Sequence, residues 1–174
     1  MFVTWRLAGS LPHLRWTKRH DERARHAFAA LDRQADRATG GSLWLKDPRV
    51  VSLAVETLLA GESERGFYEI RAWVVMPNHV HCLLRPFRDL AVITRWLKGS
   101  TARRANLLLG RTGQPFWQGE SWDHWVRNDE ELQKLTRYIK RNPVSAGLAA
   151  TPEDWPWSSA SLAGETACPT LVYT

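Results

Sequence analysis

Residues 67–86 read Phe67-Tyr68-Glu69-Ile70-Arg71-Ala72-Trp73-Val74-Val75-Met76-Pro77-Asn78-His79-Val80-His81-Cys82-Leu83-Leu84-Arg85-Pro86, and the fold class follows from them. Phe67 to Met76 is dense in β-branched and aromatic side chains and predicts a strand. Pro77-Asn78 predicts a turn, because proline cannot donate to a ladder and asparagine tolerates unusual φ. His79 to Arg85 then predicts a returning strand that Pro86 ends. Working outward, Phe2 to Ala8 predicts a strand that stops at Gly9-Ser10-Leu11-Pro12. His20 to Arg37 predicts a solvated helix carrying Ala27, Phe28 and Leu31, and Thr39-Gly40-Gly41-Ser42 breaks it. Asp47-Pro48 opens a helix with Val51, Val55, Leu58 and Leu59 on one stripe and Gly61 as its stop. Leu90 to Leu109 predicts another, weakened at Gly99. Glu120 to Arg127 suits a strand. Asn128 with Glu131 opens a last helix, expected to end near Asn142 because Pro143 follows. Helices mixed with a tight antiparallel hairpin predict an α+β domain, its helices layered on an antiparallel sheet.

The chain has 174 residues, enough for one domain with a core of its own. We place that domain at 1–150, followed by an irregular tail at 151–174. Hydrophobic residues make up 44% and charged residues 24%, which excludes a disordered chain. The formal charge of +6 favours a polyanionic partner, of which nucleic acid is the commonest. The longest uncharged run, Ala72 to Leu84, is too short for a bilayer, so no membrane partner is expected. No signal peptide is visible after Met1, which fits a cytoplasmic protein. Cys82 and Cys168 form no CxxC, which argues against a disulfide scaffold or a thiolate zinc site.

His79-Val80-His81 is the sharpest chemical feature. Residues i and i+2 of a strand point to one face, so two imidazoles project side by side at a strand end open to solvent. Such a pair can hold one divalent cation; equally, it can make ordinary hydrogen bonds on a half-exposed strand. No third His, Cys or carboxylate stands beside it in sequence, so a closed zinc site is unsupported.

Arg137-Tyr138-Ile139-Lys140-Arg141-Asn142 is the second feature. On a helical wheel Tyr138 lies between the apolar stripe of Leu132, Leu135 and Ile139 and a cationic flank of Lys134 and Arg141. Asn142 is its i+4 neighbour. A phenol there is either an amphipathic residue at a core edge or a nucleophile activated by nearby cations. Arg95, Lys98, Arg103 and Arg104 on the middle helix are candidate phosphate contacts or a solvated face. Trp117 and the aromatics from Trp122 to Trp125 are candidate base-stacking surfaces or core. Asp123 and His124 are candidate groups near a metal.

Val75-Met76-Pro77-Asn78-His79-Val80-His81, Phe116-Trp117-Gln118, Trp122-Asp123-His124-Trp125-Val126-Arg127, Tyr138 through Leu148 and Trp155-Pro156-Trp157-Ser158-Ser159 follow one another in order. With Phe2-Val3-Thr4-Trp5-Arg6 before them, this set resembles the single-tyrosine HUH transposases, most closely their REP-associated branch, over nearly the whole chain. The resemblance implies a ferredoxin-like sheet with the histidines on a central strand and the tyrosine on a neighbouring helix. It implies His79 and His81 as metal ligands, Tyr138 as nucleophile, and Asn142 at the position of a further polar ligand, where relatives often carry Gln. It also implies Mg²⁺ or Mn²⁺, single-stranded or hairpin DNA as partner, strand cleavage and joining through a 5′-phosphotyrosine, and a bacterial, nucleoid-associated protein. A monomer is favoured over a dimer. The segment from about 17 to 42 matches nothing in the family's chemistry. Two other readings are a DNA-hairpin-binding regulator without catalysis and a metal-dependent nuclease that uses water.

Overall fold

The hairpin forms where the β-branched density predicts it. In a computed structural model that describes residues 1–10, 30, 32–36 and 40–163, Tyr68–Val75 (β2) pairs antiparallel with His79–Pro86 (β3). Met76 N donates to His79 O at 2.8 Å and closes the turn over Pro77 and Asn78. Phe2–Arg6 (β1) lies antiparallel on the far side of β3, with Thr4 opposite His81 and Arg6 opposite His79. Trp122–His124 (β4) pairs with β1, shorter than the strand expected over 120–127. The sheet order is β2-β3-β1-β4.

Pro48–Ser63 (α1) joins β1 to β2, and Leu90–Leu108 (α2) joins β3 to β4. This β-α-β-β-α-β order with a wholly antiparallel sheet is the ferredoxin-like arrangement. A further helix, Asp129–Ser145 (α3), follows β4. Strand periodicity sorts the side chains onto two faces. Val3, Trp5, Trp73, Val75, Val80 and Cys82 pack with α1 and α2. Phe2, Ala72, Val74 and Leu83 pack with Ile139, Leu132 and Leu135 of α3. The histidines project onto this second face.

Two helix boundaries differ from expectation. Gly61 does not stop α1, which runs on to Ser63. It is instead the place where Tyr68 enters: the Tyr68 hydroxyl donates to Leu58 O at 2.7 Å, and a Cβ at 61 would overlap that hydroxyl. Nor does α3 end near Asn142. Pro143 lies within its last turn: its missing N–H forgoes the one bond to Ile139 O, and the helix still closes beyond it, with Ala146 N donating to Asn142 O at 3.0 Å. Gly147, at φ 71°, is the actual stop. Its N–H donates to Val144 O at 3.0 Å and Leu148 N to Pro143 O at 2.9 Å, a Schellman closure. The extra turn keeps Asn142 inside the helix, on the side of Tyr138.

Of the helix expected over 20–37, residues 30 and 32–36 are helical and the rest lie outside the described residues. Past residue 150 the chain covers the outer edge of β2. Val75 N donates to Trp157 O at 2.8 Å, and the Trp155 indole donates to Val75 O at 3.0 Å. An edge strand is thereby protected from pairing elsewhere. No described helix is long and apolar enough to cross a membrane.

Candidate metal centre and tyrosine

The same-face geometry of His79 and His81 brings their Nε2 atoms to 3.0 Å of one another. Each Nδ1 is held from behind. Asn78 Nδ2 donates to Ala35 O at 3.0 Å, which orients the amide and turns Oδ1 to His79 Nδ1 at 2.6 Å. The acceptor oxygen requires a proton on Nδ1, so the His79 Nε2 lone pair points into the gap. His81 Nδ1 meets the Thr4 hydroxyl at 2.7 Å from the adjacent strand. Thr4 can donate or accept, so it suits either tautomer of His81.

Where a strand end open to solvent was expected, both imidazoles are fully enclosed. The cover is the helical stretch 32–36. Asp32 Oδ2 stands 3.4 Å from His81 Nε2, and Asp36 Oδ1 stands 3.5 Å from His79 Nε2. Asp32, His79 and His81 form a group whose ligand atoms all lie within 4.8 Å. The third donor was therefore missed in sequence, where it stands 47 positions before His79 (79 − 32). Its one signal is the i, i+4 spacing of Asp32 and Asp36, which puts both carboxylates on one helix face.

Burial, with the Arg6 charge, pushes His79 down to about 3. Burial and its neighbour His79 push His81 well below the usual imidazole range. Both rings are neutral at pH 7, so their short approaches to Asp32 and Asp36 are not ion pairs. Burial and Asp36 push Asp32 well up, against the pull of Arg6 and Arg33. A cation in the gap would reverse that balance and favour the carboxylate.

The donor set fits such a cation. Metal–nitrogen bonds of about 2.1 Å at right angles separate two ligand nitrogens by about 3.0 Å, the spacing of the two Nε2 atoms. Asp32 Oδ2 and Asn142 Oδ1 are buried without a hydrogen-bond partner among the described residues, a costly state that a bound ion relieves. Asn142 belongs to the same cluster through its amide, which donates to Asp36 Oδ2 at 3.5 Å.

Tyr138 arrives from α3. Its ring meets His81 edge-on, with centroids 5.6 Å apart, and Phe2 packs against both rings. The tyrosine remains 36% exposed, so the closed histidine pair has one partly open neighbour. Lys134 and Arg141, one turn to either side on α3, are exposed beside it.

The other candidate DNA contacts divide differently. Arg95, Lys98, Arg103 and Arg104 stand on α2, which packs on the opposite face of the sheet from the histidines. Lys98 is committed to Gly119 O and Glu120 O, at 2.8 and 3.3 Å, and Arg104 to Glu56 at 2.7 Å. Trp117 is a core ring, edge-on to Trp5 and Phe116 and 8% exposed, so it offers no face to a base. His124 also lies apart from the metal group: it meets Glu131 at 2.8 Å and pins the start of α3, while Asp123 pairs with Val3 in the sheet. The Asn128 side chain caps the same helix through Glu131 N.

A profile of the family described as "Transposase IS200 like" matches residues 32–142, a span that opens on Asp32 and closes on Asn142. The REP-associated tyrosine transposase of Escherichia coli (strain K12) is 34% identical over 95 residues, covering 53% of this chain and 54% of that protein. The chain spans about half the length of the curated relatives it matches. A solved structure described as a REP-associated tyrosine transposase bound to a REP hairpin superposes with a TM-score of 0.59 at 23% identity, covering 92% of this chain and 76% of that one. This second likeness is one of fold.

Proposed function

Because the chain belongs to the IS200-like transposase family, we propose that it cuts and rejoins single-stranded or hairpin DNA with Tyr138 as the nucleophile. The observation that carries this reading is the edge contact of Tyr138 with His81, beside the Asp32, His79 and His81 donors. A divalent cation held there, Mg²⁺ or Mn²⁺, supplies electrophilic polarisation of a phosphodiester and offsets the charge that grows as it is attacked. His79 and His81 would hold it by Nε2, Asp32 by its carboxylate and Asn142 by its amide oxygen. Thr4 and Asn78 keep the imidazoles turned toward it.

The Tyr138 oxygen attacks phosphorus in line and loses its proton. The bond from phosphorus to the 3′ oxygen breaks, and that oxygen takes up a proton as a free 3′-hydroxyl. The DNA stays on the enzyme through a 5′-phosphotyrosine ester. This ester conserves the free energy of the broken bond, so another 3′-hydroxyl can reverse the step without ATP. Phosphate approaches from the Tyr138 side, where the partly exposed phenol borders the enclosed histidines. Lys134 and Arg141 attract the strand to that phenol. A hairpin is the favoured form of substrate, in keeping with the REP hairpin held by the structural relative. Histidines and tyrosine meet within one chain, which favours a monomer.

A protein that only binds hairpins has no use for a buried donor group beside a phenol. A nuclease using water needs the donors but not Tyr138. Incubation with 3′-end-labelled hairpin oligonucleotide and Mn²⁺, followed by a denaturing gel, separates the readings, because the fragment 3′ of the cut is the one left on the tyrosine. Label migrating with the protein supports the proposal. Cleavage with no label on the protein overturns it in favour of water, and shifted but uncut DNA overturns it in favour of binding alone.

A further inference from the structure

The geometry points to a second nucleic-acid site, a pocket for an unpaired nucleotide at the start of α3. It rests on the reading above and adds where the strand beside the cut is held. A groove of about 360 Å³ opens between the end of β3 and the first turn of α3, the size of a small-ligand pocket. Leu83, Val126 and Leu132 make its apolar floor, and Arg71, Arg85 and Arg127 stand around it. Trp125 lies at its edge, 61% exposed. An indole exposed to that extent presents a flat face on which a base can stack.

Charge narrows the choice. Three arginines face one carboxylate, Asp129, in the lining. Glu69, next to the groove, lies 2.9 Å from Arg71 and 3.9 Å from Arg85, and neutralises one positive charge between them. A surplus of about one positive charge remains around an apolar floor (three arginines less Asp129 and Glu69). An indole, an apolar floor and guanidinium groups match a base and its phosphates: the base stacks, the arginines take the backbone.

Position ties the groove to the proposed cut. Leu83 follows His81 by two residues on the same strand face, about 7 Å away. Leu132 precedes Tyr138 by six residues, about 9 Å along α3. Those spans lie within the reach of a few nucleotides of a single strand. The occupant is therefore an unpaired nucleotide within a few positions of the cleaved phosphate, with its base on Trp125 and its phosphates on Arg85 and Arg127.

The test is binding of a short fluorescein-labelled oligothymidylate to the full chain, read by anisotropy. Trp125→Ala should weaken it by about 5- to 150-fold, the range for loss of one stacked base, and Trp125→Phe should restore most of it. Arg127→Gln should weaken it and lower the salt slope by about one. Arg103→Gln, across the sheet, should leave both unchanged. Circular dichroism reports folding of each variant. Wild-type affinity in folded Trp125→Ala, or equal losses in Arg127→Gln and Arg103→Gln, overturns the groove. Because binding is read without cleavage, absence of a covalent adduct would count against Tyr138 and not against this site.

Discussion

The ring of Tyr138 stands edge-on to the ring of His81, centroids 5.6 Å apart and planes at 63°. The two residues come from different layers, a helix after β4 and the second strand of the hairpin. Phe2 of β1 fills the space beneath them, stacked on His81 at 5.5 Å and edge-on to Tyr138 at 6.2 Å. Three separate elements thus fix one phenol against one imidazole.

Asp32 should be a metal ligand by the same geometry. Asp32→Asn keeps the shape and removes the charge, and we expect Mn²⁺ affinity to fall by at least about tenfold, or about 1.4 kcal/mol. Calorimetric titration of the folded protein checks this. Unchanged affinity would leave the histidines without their carboxylate partner and reduce Asp32 to a cover.

Thr4 acts through His81. Thr4→Val removes the hydroxyl that orients Nδ1 and keeps the branched shape. Loss of such an orienting partner costs about 10- to 100-fold in metal affinity or activity. The same titration reads it, and a rescue by Thr4→Ser separates orientation from packing.

The His79 and His81 pair was legible in sequence because strand periodicity is two, and Tyr138 because helical periodicity places it at the border of an apolar stripe. Ile139 at the centre of that stripe is fully buried, as the wheel requires. Asp32 and Asp36 were not legible. Their approach to the histidines depends on where the helical stretch 32–36 packs on the sheet, far from the histidines in sequence, and local pattern carries no such information. The position of the α2 cations relative to the histidines was not legible for a related reason. A wheel shows which side of a helix faces solvent but not which face of the sheet the helix covers, and α2 covers the face away from the histidines. Trp117 shows the ambiguity of aromatics: the same ring serves a core or a base, and here Trp5 and Phe116 surround it.

Gly61 tests the fold apart from the chemistry. Gly61→Ala forces a methyl into the Tyr68 hydroxyl. Overpacking of this kind costs about 1–3 kcal/mol, and melting should fall by roughly 2–12 °C at this chain length. The double variant Gly61→Ala with Tyr68→Ala should lose less than the sum of its two single changes. Strict additivity would contradict the contact.

Stability should also fall in alkali. Burial pushes the Cys82 thiol from its ordinary 9.0 up to about 12, and burial raises the Tyr68 phenol as well. Above pH 9 the unfolded chain releases protons that the folded chain keeps. The unfolded state then binds fewer protons, and stability drops by up to about 1.4 kcal/mol per pH unit for each group. Denaturant midpoints between pH 8 and 11 should decline in the wild type and decline less in Cys82→Ala. Parallel curves would contradict the assigned burial of the thiol.

Mapping the covalent attachment is the most direct test of the account. After reaction with a hairpin oligonucleotide, nuclease trimming and proteolysis, mass spectrometry should find a residual nucleotide 5′-phosphate on the peptide containing Tyr138, and none in Tyr138→Phe. Attachment at Tyr68 or at any residue other than Tyr138, or an adduct that survives in Tyr138→Phe, would contradict it.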